Sequence, residues 1–279
     1  MNGEVVSKFE RIGARVRMQT LRPRFSWSWN QRRFIPETTA AHVALDVKLD
    51  RAGEYFDLVV GESRRLSVLD VRPRERHLLL MVRDASNMTK DKFLCGHDER
   101  HWFVAAVPDR STSNVRTAME ALKPAAVRDA QDRAQVRGRD RNRRHNPGFV
   151  RQGEWFFVPR PEFNPADACV YRNEPLFRGG VRRGKPHVMS EVVRLGGETV
   201  YVSRVAPAGV RVEEYRELIE RDPRMRALHW QLRQRNARVY ARGRVRHSDH
   251  ATIELPVWHE VFMNREWETP AMRHVVFLD

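Results

Sequence analysis

His247-Ser248-Asp249-His250 gathers two imidazoles and a carboxylate within four residues. Such a group can hold a divalent cation or move protons, because imidazole and carboxylate are common ligands of zinc and manganese. A sharp turn would converge the three side chains. His259 with Glu260 would join them if residues 251–255 form a hairpin with the next strand. On this reading His247, Asp249 and His250 are metal ligands, and with His259 they form the catalytic group. A divalent metal is the only cofactor implied, and its chemistry would be hydrolysis of a phosphodiester by activated water. The alternative is a polar turn in which Asp249 bonds backbone amides.

A second reactive group is Cys95-Gly96-His97 with His101. Cys95 and His97 share a strand face, so a thiolate beside an imidazole or a three-ligand zinc site could form. The simpler expectation is a polar hairpin turn between two strands. Gly179 to Lys185 has the spacing of a phosphate-binding loop, but Pro186 stands where the Mg²⁺-binding hydroxyl belongs, so no NTP is expected. Arg182, Arg183 and Lys185 there could still contact phosphate. His187 and His229 have no assignable role from sequence.

Arginines dominate the rest of the polar chemistry. In Arg238-Val-Tyr240-Ala-Arg242-Gly-Arg244-Val-Arg246, basic and small apolar residues alternate with a period of two. A strand would place Arg238, Tyr240, Arg242, Arg244 and Arg246 on one face. Arginine forks match phosphate oxygens, and Tyr240 could stack on a base. Residues 137–144 hold Arg137, Arg139, Arg141, Arg143 and Arg144, followed by aromatics from Phe149 to Phe157. Nucleic acid, as RNA or single-stranded DNA, is therefore the expected partner. An edge strand whose charge blocks aggregation is the alternative for the strand, and a solvated linker is the alternative for the loop.

Composition agrees with a polyanion partner. The net charge is +15, and residues 221–247 alone carry nine basic side chains against one acidic. Residues 34–109 are nearly neutral, with eleven basic and thirteen acidic side chains. A third class, a structural subunit of a ribonucleoprotein or protein assembly, fits the same charge. No apolar run approaches the roughly 20 residues that span a bilayer, and no apolar signal core opens the chain, so no membrane partner and a cytoplasmic location are expected. Two cysteines offer no disulfide framework.

The elements that must position these groups read as α+β, with a β-rich N-terminal half and a mixed C-terminal half of mainly antiparallel sheets. Alternation over 9–18, 25–29 and 43–49 and apolar runs at 55–60, 66–71, 77–82 and 102–107 predict strands. A helix is expected from about 113, capped within Ser111 to Ser113, and another from Pro124 to about Gln135. Further strands are expected at 154–159, 187–194, 199–205, 238–246, 251–255, 257–263 and 274–278. Helices are expected over 212–219 and 223–235. The breakers in 137–148 suggest a division into 1–110, 111–148 and 149–279.

Overall fold

The computed structural model describes residues 2–21, 25–28, 33–36, 43–84, 89–165, 169–177 and 185–270. Arg182, Arg183 and the strand expected at 274–278 lie outside them. The fold is α+β and sheet-rich, with several antiparallel sheets. No helix among the described residues is long and apolar enough to cross a membrane.

The first element corrects an expectation. Residues 9–11 end helix α1 (Asn2–Arg11) and do not begin a strand. Val5, Phe9 and Ile12 are buried at helical spacing, and this outweighs the loose alternation that follows. Strand β1 (Arg15–Leu21) then runs parallel to β5 (Gly53–Gly61), which pairs antiparallel with β4 (Val43–Asp50). The alternation at 25–29 gives β2 (Phe25–Ser28), paired with β3 (Arg33–Pro36).

A four-stranded meander follows: β6 (Arg64–Arg72), β7 (His77–Asp84), β8 (Lys90–Asp98) and β9 (His101–Ala106). Leu78, Leu80, Phe93 and Cys95 on one face share a core with Phe9, Leu45, Phe56 and Leu58. Leu79, Leu94 and Ala105 on the other face meet helix α2 (Val115–Ala121). Burial on both faces explains why 77–82 is apolar without alternation. Asn114, rather than a serine of 111–113, caps α2. Its Oδ1 accepts Thr117 N–H at 2.9 Å, and Thr117 Oγ1 accepts Asn114 N–H at 3.2 Å. Helix α3 (Ala125–Arg133) starts after Pro124 and packs Val127 and Ala130 on Phe149 and Phe156.

The largest sheet has seven strands. They are β10 (His145–Asn146), β11 (Phe149–Gln152), β12 (Trp155–Pro159), β13 (Val170–Leu176), β14 (His187–Leu195), β18 (Arg238–Arg246) and β19 (Ile253–Met263). Their spatial order is β10-β11-β12-β19-β18-β14-β13. The two strands expected at 251–255 and 257–263 are one strand, β19, with a register shift against β18 between Ala241 and Gly243. Gly243 takes φ +81 there, a conformation glycine adopts without strain.

Between the paired ends Leu195 and Arg238 the chain makes a separate three-stranded sheet. It contains β15 (Glu198–Ser203), β16 (Ala206–Arg211) and β17 (Gln231–Arg235), with helix α4 (Val212–Arg221) beside it. Here the helix expected over 223–235 is replaced by a 3-10 turn at Pro223–Ala227 and by β17. Asp222 does cap the turn, accepting Arg224 N–H at 3.0 Å. Pairing of β17 along β15, from Glu198 opposite Arg235 to Val202 opposite Gln231, then overrides the helical spacing of Met225, Leu228 and Leu232.

Candidate metal centre

Pairing of β14 with β18 places Val188 opposite Arg246, so His187 and His247 meet at the end of the two strands. Their rings stack with centroids 4.2 Å apart. His250 lies 4.8 Å from His247 and 5.7 Å from His187, centroid to centroid. One ring nitrogen of each histidine falls within 4.8 Å of the others. These three are the group among the described residues able to hold a metal ion.

The β11–β12 hairpin closes the site from the side. Gln152 pairs with Trp155, leaving Gly153 and Glu154 as a two-residue turn. Gly153 has φ +57, and a Cβ there would sit 2.9 Å from His250 Nε2, so the turn needs glycine for both conformation and space.

Hydrogen bonds decide where the imidazole lone pairs point. Gln152 is fully buried, and its amide nitrogen donates to the carbonyls of Ala251 (2.6 Å) and Val245 (3.3 Å). Its Oε1 therefore faces His187 Nδ1 at 2.9 Å and accepts from it. With Nδ1 bonded to Gln152, His187 Nε2 is its ligating position, 3.8 Å from Glu154 Oε2. His247 Nε2–H donates to the Lys185 carbonyl at 3.2 Å, while Nδ1 accepts Asp249 N–H at 3.1 Å. Ligation through Nδ1 would exchange the amide contact for a metal and keep the carbonyl contact, the usual outer support of a ligating imidazole. His250 Nδ1 is buried without a hydrogen bond among the described residues, 3.6 Å from Glu99 Oε2. Glu99 Oε2 is itself held by Ala251 N–H at 2.7 Å.

Burial lowers the pKa of His247, and its like-charged neighbours His187 and His250 lower it further. Burial likewise lowers that of His250, against the pull of Glu99. Both favour the neutral, ligating form. Around the trio stand Arg144, Arg151 and Lys185 against Asp98, Glu99, Glu154 and Asp249, three cations against four carboxylates. Three imidazoles in a shell of net charge −1 suit a cation.

Asp249 belongs to that shell and not to the ring of imidazoles. Its carboxylate takes Lys185 Nζ at 2.9 and 3.1 Å and Ser248 Oγ–H at 3.0 Å. Burial acts to raise its pKa, but the Lys185 and Ser248 contacts outweigh this and hold it low. His259 lies elsewhere, on β19 between Pro159 and Ala241, with its Nδ1–H on the Val257 carbonyl. Cys95 is buried in the core, and burial raises its thiol pKa; His97 packs edge-on to Trp102.

The basic strand adopts the expected alternation, with Val239, Ala241 and Val245 in the core. Its charged face is partnered from within. Arg238 meets Glu260 at 2.9 Å, Arg242 meets Glu191 at 2.6 Å, Arg244 meets Glu254 at 3.6 Å, and Arg246 donates to Asn173 Oδ1 at 3.0 Å. Tyr240 is 3% exposed and stacked on Phe163 at 3.9 Å. In the Arg-rich loop, Arg141 pairs with Asp132 and Glu120, Arg139 and Arg143 with Asp140, and Arg144 with Asp98 and Glu99. Arg137 makes no ion pair among the described residues, and it is exposed.

His250, Gly153, Glu154, Lys185 and Asp249 line a cleft of about 790 Å³, to which His187 and His247 do not contribute. Its other walls come from β4, β9, α2, β11 and β12. Sequence reasoning reached His247 and His250 but missed His187, Gln152, Gly153, Glu154 and Glu99. One signal was present: Gln152-Gly153-Glu154 between two aromatic strand segments is a tight-turn pattern with polar ends. The chain distance from 152 to 187 to 247 hid the rest. Comparison with known proteins finds no matching family model, no matching curated protein and no matching solved structure.

Proposed function

We propose that this chain is a metal-dependent hydrolase acting on phosphodiesters at the His187/His247/His250 centre. The convergence of those three imidazoles, one of which, His250, lines a cleft, carries the reading. A zinc-type ion bound there would supply Lewis acidity and a water of pKa about 7. Glu154, beside His187 Nε2, takes the proton of the attacking water. Lys185 and Arg151 line the cleft, where they pair with Asp249 and Asp98 and offset the carboxylates around the anionic ester.

The test is metal analysis of the purified chain followed by hydrolysis of bis(p-nitrophenyl) phosphate. About one bound ion per chain, activity removed by chelator and restored by zinc, and a loss of about 100-fold in His250→Ala are expected. Undiminished hydrolysis by metal-free protein would sink the reading.

Docking of nucleic acid is a second reading, favoured by one observation. Arg204, Arg216, Arg221, Arg224, Arg226 and Arg233 around β15–β17 are exposed and make no ion pair among the described residues. Exposed arginines without an ion pair therefore cluster on that insertion, interspersed with exposed Glu213, Glu217 and Glu220, and not on β18. Oligonucleotide affinity should weaken with salt by roughly one log–log slope unit per phosphate held. It should weaken in Arg224→Glu/Arg226→Glu more than in Arg242→Ala. Affinity that is flat with salt would exclude this docking.

A further inference from the structure

The turn that joins β8 to β9 reaches the histidine centre from a different sheet. Asp98 pairs with His101, so Glu99 and Arg100 form a two-residue turn. Glu99 takes φ +52, the left-handed conformation that the first residue of such a turn needs. Glycine, asparagine or aspartate adopts it at less cost than glutamate does. Backbone strain of this kind is kept where surrounding contacts fix it, and it gathers at functional sites.

The contacts of the Glu99 carboxylate all lie on later segments of the chain. Oε1 pairs with Arg144, Oε2 accepts Ala251 N–H at 2.7 Å, and Oε2 stands 3.6 Å from His250 Nδ1. Asp98, beside it, anchors the turn on Arg144 and Arg151. His250 turns its other nitrogen toward the centre. The position that a Cβ on Gly153 would take lies 2.9 Å from His250 Nε2 and 3.5 Å from His187 Nε2, so the two Nε2 atoms converge on one place. His250 Nδ1 is shut off from water and has no hydrogen bond among the described residues. A buried imidazole N–H without an acceptor is costly. Glu99 Oε2 is an acceptor within reach, since the gap exceeds a hydrogen bond by only about 0.7 Å.

We infer that Glu99 is a positioning residue of the metal centre: its Oε2 takes the Nδ1–H of His250 and so holds His250 Nε2 toward the ion. Glu99 itself touches no metal. A carboxylate on the far nitrogen is a common support of a ligating imidazole. The inference rests on the metal-centre reading. It adds that a centre built on the seven-stranded sheet is complete only when the β8–β9 hairpin docks against it.

The test is cobalt titration of the full chain, followed by visible absorption, in the wild type, Glu99→Gly, Glu99→Asn and Glu99→Gln. Glycine suits φ +52, so Glu99→Gly keeps the turn while removing the carboxylate. It is expected to weaken cobalt affinity by about 10–100-fold and to alter the absorption bands as His250 loses its orientation. Glu99→Asn also tolerates the turn but is one methylene too short to reach His250, and it should be as weak, so the result does not hang on one variant's folding. Glu99→Gln keeps an oxygen acceptor without the charge and should recover most of the affinity and the wild-type bands. Wild-type affinity and bands in Glu99→Gly or Glu99→Asn would show that Glu99 serves the turn alone, and overturn the inference. Glu99→Gln as weak as Glu99→Gly overturns it too, because the carboxylate would then act through its charge. Failure of the wild type to take up cobalt overturns the metal centre itself, an outcome distinct from equal uptake by all four proteins.

Discussion

Gln152 does more for the candidate centre than any charged residue near it. It touches no metal position, yet its two donated hydrogen bonds leave only its oxygen for His187. Through that contact it sets which nitrogen of His187 carries a lone pair. Gln152→Leu removes the acceptor and is expected to weaken cobalt or zinc affinity by about 10–100-fold. Gln152→Glu restores an acceptor and should recover most of the loss. The visible absorption of the cobalt-loaded protein reads both. Equal affinity in wild type and Gln152→Leu would remove Gln152 from the positioning of His187. At this scale the sequence displayed His247 and His250 but not their partner. Asp249 was displayed too, but its carboxylate is held by Lys185 Nζ and Ser248 Oγ–H.

Elements explain why a basic strand need not meet a polyanion. The period of two in 238–246 was legible, and the strand has those bounds. Its neighbours were not legible: Glu191 on β14 and Glu254 and Glu260 on β19 come from chain segments far from each other. Cross-strand pairing with them answers the arginine row. The β11–β12 turn has the same character. Gly153→Ala would force a Cβ into a left-handed turn and against His250. A stability loss of roughly 1 kcal/mol is expected from the backbone alone. Metal affinity should fall with it, as His250 is displaced. Thermal unfolding together with metal titration separates the two effects, and an unchanged metal affinity would show that His250 tolerates the added methyl. The misassigned helix at 223–235 belongs here as well, since the edge offered by β15 decided that segment's structure.

Acid stability is a property of the whole molecule, and His77 contributes strongly to it. Burial pulls its pKa down to about 4, against a bond from Nδ1–H to the Glu75 carbonyl. The unfolded chain takes up this proton below about 6.5, but the native chain refuses it until about 4. Unfolding free energy should therefore fall as pH drops through that window, by about 3 kcal/mol from this residue. His247 and His250, also lowered, act in the same direction. Denaturant unfolding at pH 7 and pH 4.5, for wild type and His77→Gln, checks this. An equal pH dependence in both would assign the effect to other groups.

Composition and periodicity by themselves determined the sheet-rich α+β class, most strand positions and the surplus of positive charge. These follow from local rules: alternation marks a strand, a cap opens a helix, and charge counts need no coordinates. Tertiary structure alone decided that His187 completes the histidine trio, that Gln152 orients it, and that the β18 arginines are already paired. Each depends on strand register across dozens of residues, which brings distant side chains within a few ångströms and which no local pattern encodes.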